Sequence, residues 1–168
     1  MRFFSPAGRA AFADETDAGL AIMEAEYPSA SAIGPFFRHY AAILADRREN
    51  AGRVADALAL VRWTLDTVTE PGVGVYVPEL HRLRGVCLLR LNASHETEAM
   101  RSLQTALDVA KQQGATLLQL RAAISIAKAS RALKRANAGL ETLRDVCAEL
   151  PPECDVPEIE EAKRLLAE

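Results

Sequence analysis

The side chains best able to do chemistry in this chain are its three histidines, three cysteines and a cluster of cations, and their spacing supports little of it. His39, His81 and His95 have no serine or cysteine at the distances that nucleophilic catalysis uses, and the many carboxylates fall at exposed helix positions rather than in apolar surroundings. The chain is therefore expected not to be an enzyme. Cys87, Cys147 and Cys154 are odd in number, with Cys87 inside a helical pattern and the other two flanking Pro151-Pro152. They read as ordinary thiols rather than a disulfide framework, the alternative being a Cys147–Cys154 redox pair across a loop short enough to close. His81 and Cys87 lie six apart on a helix and face different ways, and no second ligand pair stands at zinc spacing. No phosphate loop of the Gly-x-x-x-x-Gly-Lys-Ser/Thr type occurs. Neither metal nor cofactor is expected. Lys128, Arg131, Lys134 and Arg135 form a basic stripe, but it falls at a helix end where cations meet the negative pole of the dipole, and the chain's pI is about 5.7. No direct nucleic-acid binding is expected.

The elements that must position these residues are helices. From Glu79 to Gly114, Leu80, Leu83, Val86, Cys87 and Leu91 recur at three- and four-residue spacing. After Asn92-Ala93-Ser94 the series Ala99, Leu103, Ala106, Leu107 and Ala110 does the same. That is a helical hairpin, and it recurs: Ala57 lies 42 positions before Ala99 and Gly139 lies 40 after it, each early in a second helix. A period near forty with two helices per unit marks an α-solenoid. A fainter copy at 17–25 lacks a clear first helix. The expected helices run from about Glu15 to Glu26, stopped by Tyr27-Pro28, and from Ser29 or Ser31, through Ile33, to about Asn50. Others follow over Val54–Val68, Glu79–Leu91, Ser94–Gly114 with Ser94 as cap, Thr116–Lys134, Ala138–Leu150 and Glu158–Ala167. Gly72 to Pro78 reads as an extended loop. The expected fold is all-α, about three and a half hairpins plus a closing helix.

Several stretches carry a resemblance to a family. Glu79-Leu-His-Arg-Leu-Arg-Gly85, Ala106 to Ala115, Leu120 to Ala127 and Asp155 to Leu166 are similar to the carboxy-terminal tetratricopeptide-like array of bacterial signalling proteins, in which it follows an ATPase module and a cyclase or DNA-binding output domain. The resemblance covers roughly Asp17 to Glu168. It departs from the pattern where His39, His81 and Arg121 stand in place of an early aromatic, and where Gly139 replaces an alanine. It implies a tetratricopeptide-like superhelix in which the first helix of each hairpin lines a concave face that holds peptide partners. Carried over, the partner-binding positions are Phe37, Tyr40, Leu44, Arg47 and Arg48, then Glu79, Arg82, Val86 and Arg90, then Gln119 and Ser130, with Tyr40, Arg47, Arg82 and Arg90 as anchors. Arginine forks suit an acidic or carboxylate-ended peptide. Reversing Arg82 and Arg90 to Glu is expected to abolish capture while leaving helicity intact. Arg84 and Arg121 are assigned to pairing within the chain.

Composition and charge agree with a scaffold. The 168 residues suffice for one domain, 14–168, behind a tail at 1–13 whose Phe3, Phe4 and Phe12 either seal the first helix or mark a cut surface of a longer array. Apolar residues make up 49% and aromatic residues 5%, which suits close helix packing through alanine and leucine. No apolar run approaches the ~20 residues that cross a bilayer and no export signal opens the chain, so a cytoplasmic protein without membrane contact is expected. Residues 1–78 carry a net charge of −3 (7 Lys/Arg, 10 Asp/Glu), 79–135 carry +6 (10 and 4), and 136–168 carry −6 (3 and 9). Blocks of opposite sign can dock on each other or steer partners. The functional expectation is a non-enzymatic protein-interaction or regulatory module. The alternatives are a small-molecule-sensing regulatory domain, and a self-associating domain that forms a homodimer.

Overall fold

The computed structural model describes residues 17–30, 36–67, 74–151 and 156–167. Every regular element among them is helical: α1 (Asp17–Ala30), α2 (Phe36–Asn50), α3 (Val54–Asp66), α4 (Val77–Leu91), a 3-10 turn (Ala93–His95), α5 (Glu96–Gln112), α6 (Thr116–Ala132), α7 (Ala136–Ala148) and α8 (Pro157–Ala167). The expected all-α class holds. Phe3, Phe4, Phe12, Ile33 and Cys154 lie outside the described residues.

Three local expectations are corrected. Helix α1 runs through Pro28 to Ala30; a proline this close to a helix end removes one backbone donor where few turns remain to be broken. The turn at 74–76 leads directly into α4, which already contains Val77 and Pro78, a proline at the helix start where its missing N–H costs nothing. Ser94 does not cap α5. Its own backbone N–H donates to Asn92 Oδ1 at 2.9 Å, so the asparagine organises a 3-10 turn that α5 continues. The other two hairpins close differently. Gly52 (φ 79°) and Lys134 (φ 59°) take the left-handed conformation, and the N–H groups of Arg53 and Arg135 return to Arg48 O at 2.8 Å and Ser130 O at 2.7 Å.

Each helix packs on the next in sequence. A second row also exists, in which α2 packs on α4, α4 on α6 and α6 on α8, with no matching row among α1, α3, α5 and α7 in the described residues. Small residues make the hairpins possible. Gly85 of α4 meets α5 so closely that a Cβ there would stand 2.6 Å from Leu103 Cγ and 2.9 Å from Ala99 O. In the next hairpin the roles swap: Gly139 of α7 lies against Ala127 and Ser130 of α6. In α2 and α3, Ala45 and Ala57 are both fully buried. The core falls into three clusters: one holds Leu20, Met23, Tyr40, Leu44, Leu80 and Leu83, one holds Leu103, Leu120, Leu143 and Leu165, and a smaller one holds Ala57, Leu58, Cys87, Leu88 and Ala99.

The charge blocks read in the sequence do dock on each other. Arg121 Nη2 pairs with Glu158 at 2.7 Å and Lys128 with Glu161 at 2.5 Å, fastening the acidic α8 along the basic α6 above the buried Ala162 and Leu165.

Candidate functional site

Helix α2 shows Ala42, Ile43, Asp46, Arg47 and Asn50 on one side, at the three- and four-residue steps of a single face. Opposite stand Thr116, Leu117, Leu118 and Arg121 of α6, with Val75, Tyr76 and Glu79 at the start of α4 between them. Together they enclose a groove of about 1040 Å³. Val75 is 66% exposed and Leu117 39%, two of the four large apolar side chains that stand exposed among the described residues. At one wall the His39 ring lies 4.1 Å from that of Tyr76, tilted by 40°.

A ladder of ion pairs runs under the groove across the row of first helices. Arg82 donates through Nε and Nη2 to the two carboxylate oxygens of Glu79, at 3.0 and 2.7 Å, and through Nη2 to Asp46 Oδ1 at 3.1 Å. Arg121 Nη1 lies 3.8 Å from Glu79, and its Nε donates to Glu158 at 2.7 Å. Helices α2, α4, α6 and α8 are thus joined by charge as well as by packing. Burial works to raise the Glu158 carboxyl, but the Arg121 hydrogen bond and charge outweigh it and hold the group below its ordinary value. Asp46 moves the other way. Burial, then the neighbouring Glu79 and Glu49 carboxylates, hold it above the usual range despite Arg82.

The partner-binding positions expected from sequence are not brought together. Tyr40 is fully buried and donates its hydroxyl to Met23 O at 2.6 Å, and Leu44 is core beside it. Arg48 pairs with Glu24 of α1 at 2.8 Å, and Arg90 with Glu49 of α2. Arg82 is 15% exposed within the ladder, and Val86 packs into the core that α5, α6 and α7 share. Ser130 is buried against Gly139, and Gln119 Nε2 donates to Ala110 O at 3.5 Å. The side chain of Phe37 lies outside what the structure describes. Arg47 and Glu79 do line the groove. Arg84 and Arg121 pair within the chain as expected, Arg84 with Glu98 at 2.5 Å. Ile43, Asp46, Val75 and Leu117 line the groove and are not among the expected positions. Tyr40 and Leu44, expected on the open face, belong to the core.

No family model and no curated protein sequence matches the chain. Its own chemistry is restrained. Burial pushes the Cys87 thiol up to about 12 and raises that of Cys147, so neither is a ready nucleophile. Among the described residues, no three His, Cys, Asp or Glu side chains are grouped to hold a metal ion, and no helix is long and apolar enough to cross a membrane.

Two histidines are expected to give the fold a pH dependence. Burial lowers His39, and burial followed by the Arg84 charge lowers His81, below the ordinary value of 6.5. The unfolded chain then takes up these protons first, so their contribution to stability is present above pH 6.5 and is lost as pH falls through the depressed values. The melting temperature is expected to drop between pH 7.5 and 5.5. A His39→Gln/His81→Gln variant should flatten that segment of the curve, and an equal slope in both proteins would remove the two histidines as its cause.

Proposed function

We propose that the chain is a tetratricopeptide-like solenoid that works, without catalysis, as a protein-interaction or regulatory module, receiving a segment of a partner in the groove between α2 and α6. The repeat architecture is supported by the forty-residue spacing of Ala57, Ala99 and Gly139 and by the single row of first helices. The observation that carries the binding role is the groove itself. A space of about 1040 Å³, on the side where the first helices align, keeps Val75 and Leu117 exposed beside charged groups of both signs. Apolar side chains left open in a concavity are what a partner would cover.

The test is affinity purification of the tagged chain with a Val75→Asp/Leu117→Asp variant in parallel. Both positions are exposed, so the variant is expected to fold and melt like the wild type while losing at least about tenfold of any specifically retained partner. A partner retained equally by both proteins would place binding elsewhere, and this reading would fall.

A further inference from the structure

The arginines that suggest an acidic partner are already committed within the chain. Arg82 serves Glu79 and Asp46, Arg121 serves Glu158 and approaches Glu79, Arg48 serves Glu24, and Arg90 serves Glu49. Arg47, the remaining cation on the groove wall, has a partner in the chain as well. The ladder itself holds three carboxylates, Asp46, Glu79 and Glu158, against two guanidinium groups, and so carries one surplus negative charge.

The geometry places that surplus at Asp46. Glu79 takes both Nε and Nη2 of Arg82, and Glu158 takes both Nε and Nη2 of Arg121. Asp46 is left with a share of Arg82 Nη2 at 3.1 Å and the neutral amide of Asn50 at 3.2 Å. Its side chain is 38% exposed and lines the groove. The charges acting on it are Arg82, Glu79 and Glu49, and together with burial they leave its carboxylate less stable than in water.

We propose that the groove takes a basic, aliphatic peptide segment of another protein, one Lys or Arg side chain of which reaches Asp46 while neighbouring aliphatic side chains cover Ile43, Val75 and Leu117. This rests on the reading of the groove as a partner site and adds the partner's chemistry. An incoming cation completes the under-compensated carboxylate through a charge-assisted hydrogen bond. An acidic segment would have to displace the present partners of Arg47 or Arg121 or lie against Asp46 and Glu79, and like charges brought together in this way select against a partner. A bare amine would leave the aliphatic walls open, which is why a peptide is favoured over a small cation.

The experiment is selection of a displayed random heptapeptide library on the full chain, on Asp46→Asn, on Asp46→Glu and on Leu117→Asp, each first shown to melt cooperatively. From the wild type, Lys or Arg at one position beside aliphatic residues is expected at about tenfold over its input frequency. Asp46→Asn should erase the basic preference and keep the aliphatic one, Asp46→Glu should retain both, and Leu117→Asp should lose the aliphatic one. An acidic consensus, or a basic one that survives Asp46→Asn, would overturn the inference while leaving the groove as the partner site. Absence of any consensus that responds to Leu117→Asp would overturn both.

Discussion

Arg82→Glu is expected to lower stability by about 3–5 kcal/mol, the usual cost of breaking a buried ion pair by removing one partner. At roughly 2–4 °C per kcal/mol for a chain of this size, that is a fall in melting temperature on the order of 10 °C. Arg82 is 15% exposed and holds two carboxylates, Glu79 and Asp46, with Glu49 a further negative charge acting on Asp46. The substitution removes their common cation and adds a carboxylate in its place. Arg82→Met should cost less, because it leaves Glu79 and Asp46 uncompensated without adding repulsion. Pairing it with Glu79→Met should recover part of the loss, since a buried pair replaced by apolar groups is often tolerated. Thermal and urea melts of the three variants check this, and an Arg82→Glu protein melting within about 1 °C of the wild type would show that the ladder does not hold α2 and α4 together. The same argument bears on the expected reversal of Arg82 and Arg90. Arg90 also pairs with a buried carboxylate, Glu49, so the double reversal strips two inter-helix ties at once, and a loss of capture in it would report unfolding. Groove variants at exposed Val75 and Leu117 separate binding from stability, which is why they carry the functional test.

What the sequence made legible follows from what local periodicity encodes. Helix existence, order and approximate bounds came from apolar spacing, and the close hairpin crossings from small residues such as Ala99 and Gly139, because both signals are carried within single helices. Which face of α2 opens to the groove was not legible. Its core stripe contains Tyr40, Ala41, Leu44 and Ala45, while the groove face adds Ala42 and Ile43, so apolar residues continue from one face to the other and the phase is ambiguous. The fate of the arginines was equally hidden. Arg82 and Asp46 are 36 residues apart, Arg121 and Glu158 37, and Arg90 and Glu49 41, so each pair joins neighbouring first helices and no spacing within one helix announces it. The basic middle and acidic end did announce α8 on α6 in outline, because charge summed over blocks survives ignorance of register. On α4, Glu79 lines the groove, whereas Arg82 is committed to Glu79 and Asp46, and Arg90 to Glu49. That helix lies between α2 and α6 in the row, so the face expected to be open is largely covered by its neighbours.

The second large effect is expected from one methyl group. In Gly139→Ala the new Cβ would stand 2.7 Å from Ser130 Cβ, 2.8 Å from Ser130 Oγ and 2.9 Å from Ala127 Cα. Alanine improves helix propensity by about 1 kcal/mol, which favours the variant wherever space exists. Here there is none. Ser130 is buried, and the Ala127 contact is backbone, so relief requires α6 and α7 to move apart rather than a side chain to rotate. Over-packing of this kind costs about 1–3 kcal/mol and occasionally more, and with backbone on one side of the clash the upper part of that range applies. The net expectation is a destabilisation of about 1–2 kcal/mol, or roughly 2–8 °C in melting temperature. Adding Ser130→Gly removes the two nearer contacts and leaves only the one to Ala127, so it should cancel part of the over-packing. Its own cost as a helical glycine, about 1 kcal/mol, is measured in the Ser130→Gly single variant. The decisive quantity is the coupling between the two substitutions in the double-mutant cycle. A favourable coupling of about 1 kcal/mol or more would locate the clash between these two positions, and additive effects would mean that the helices approach less closely than the glycine allows. Gly85→Ala provides the mirror case in the preceding hairpin, where the glycine sits on the first helix and meets Leu103 and Ala99 of the second. The two hairpins reach the same close crossing from opposite sides, so the alanine that a tetratricopeptide-like pattern expects at 139 is excluded by the partner helix and not by the turn that precedes it.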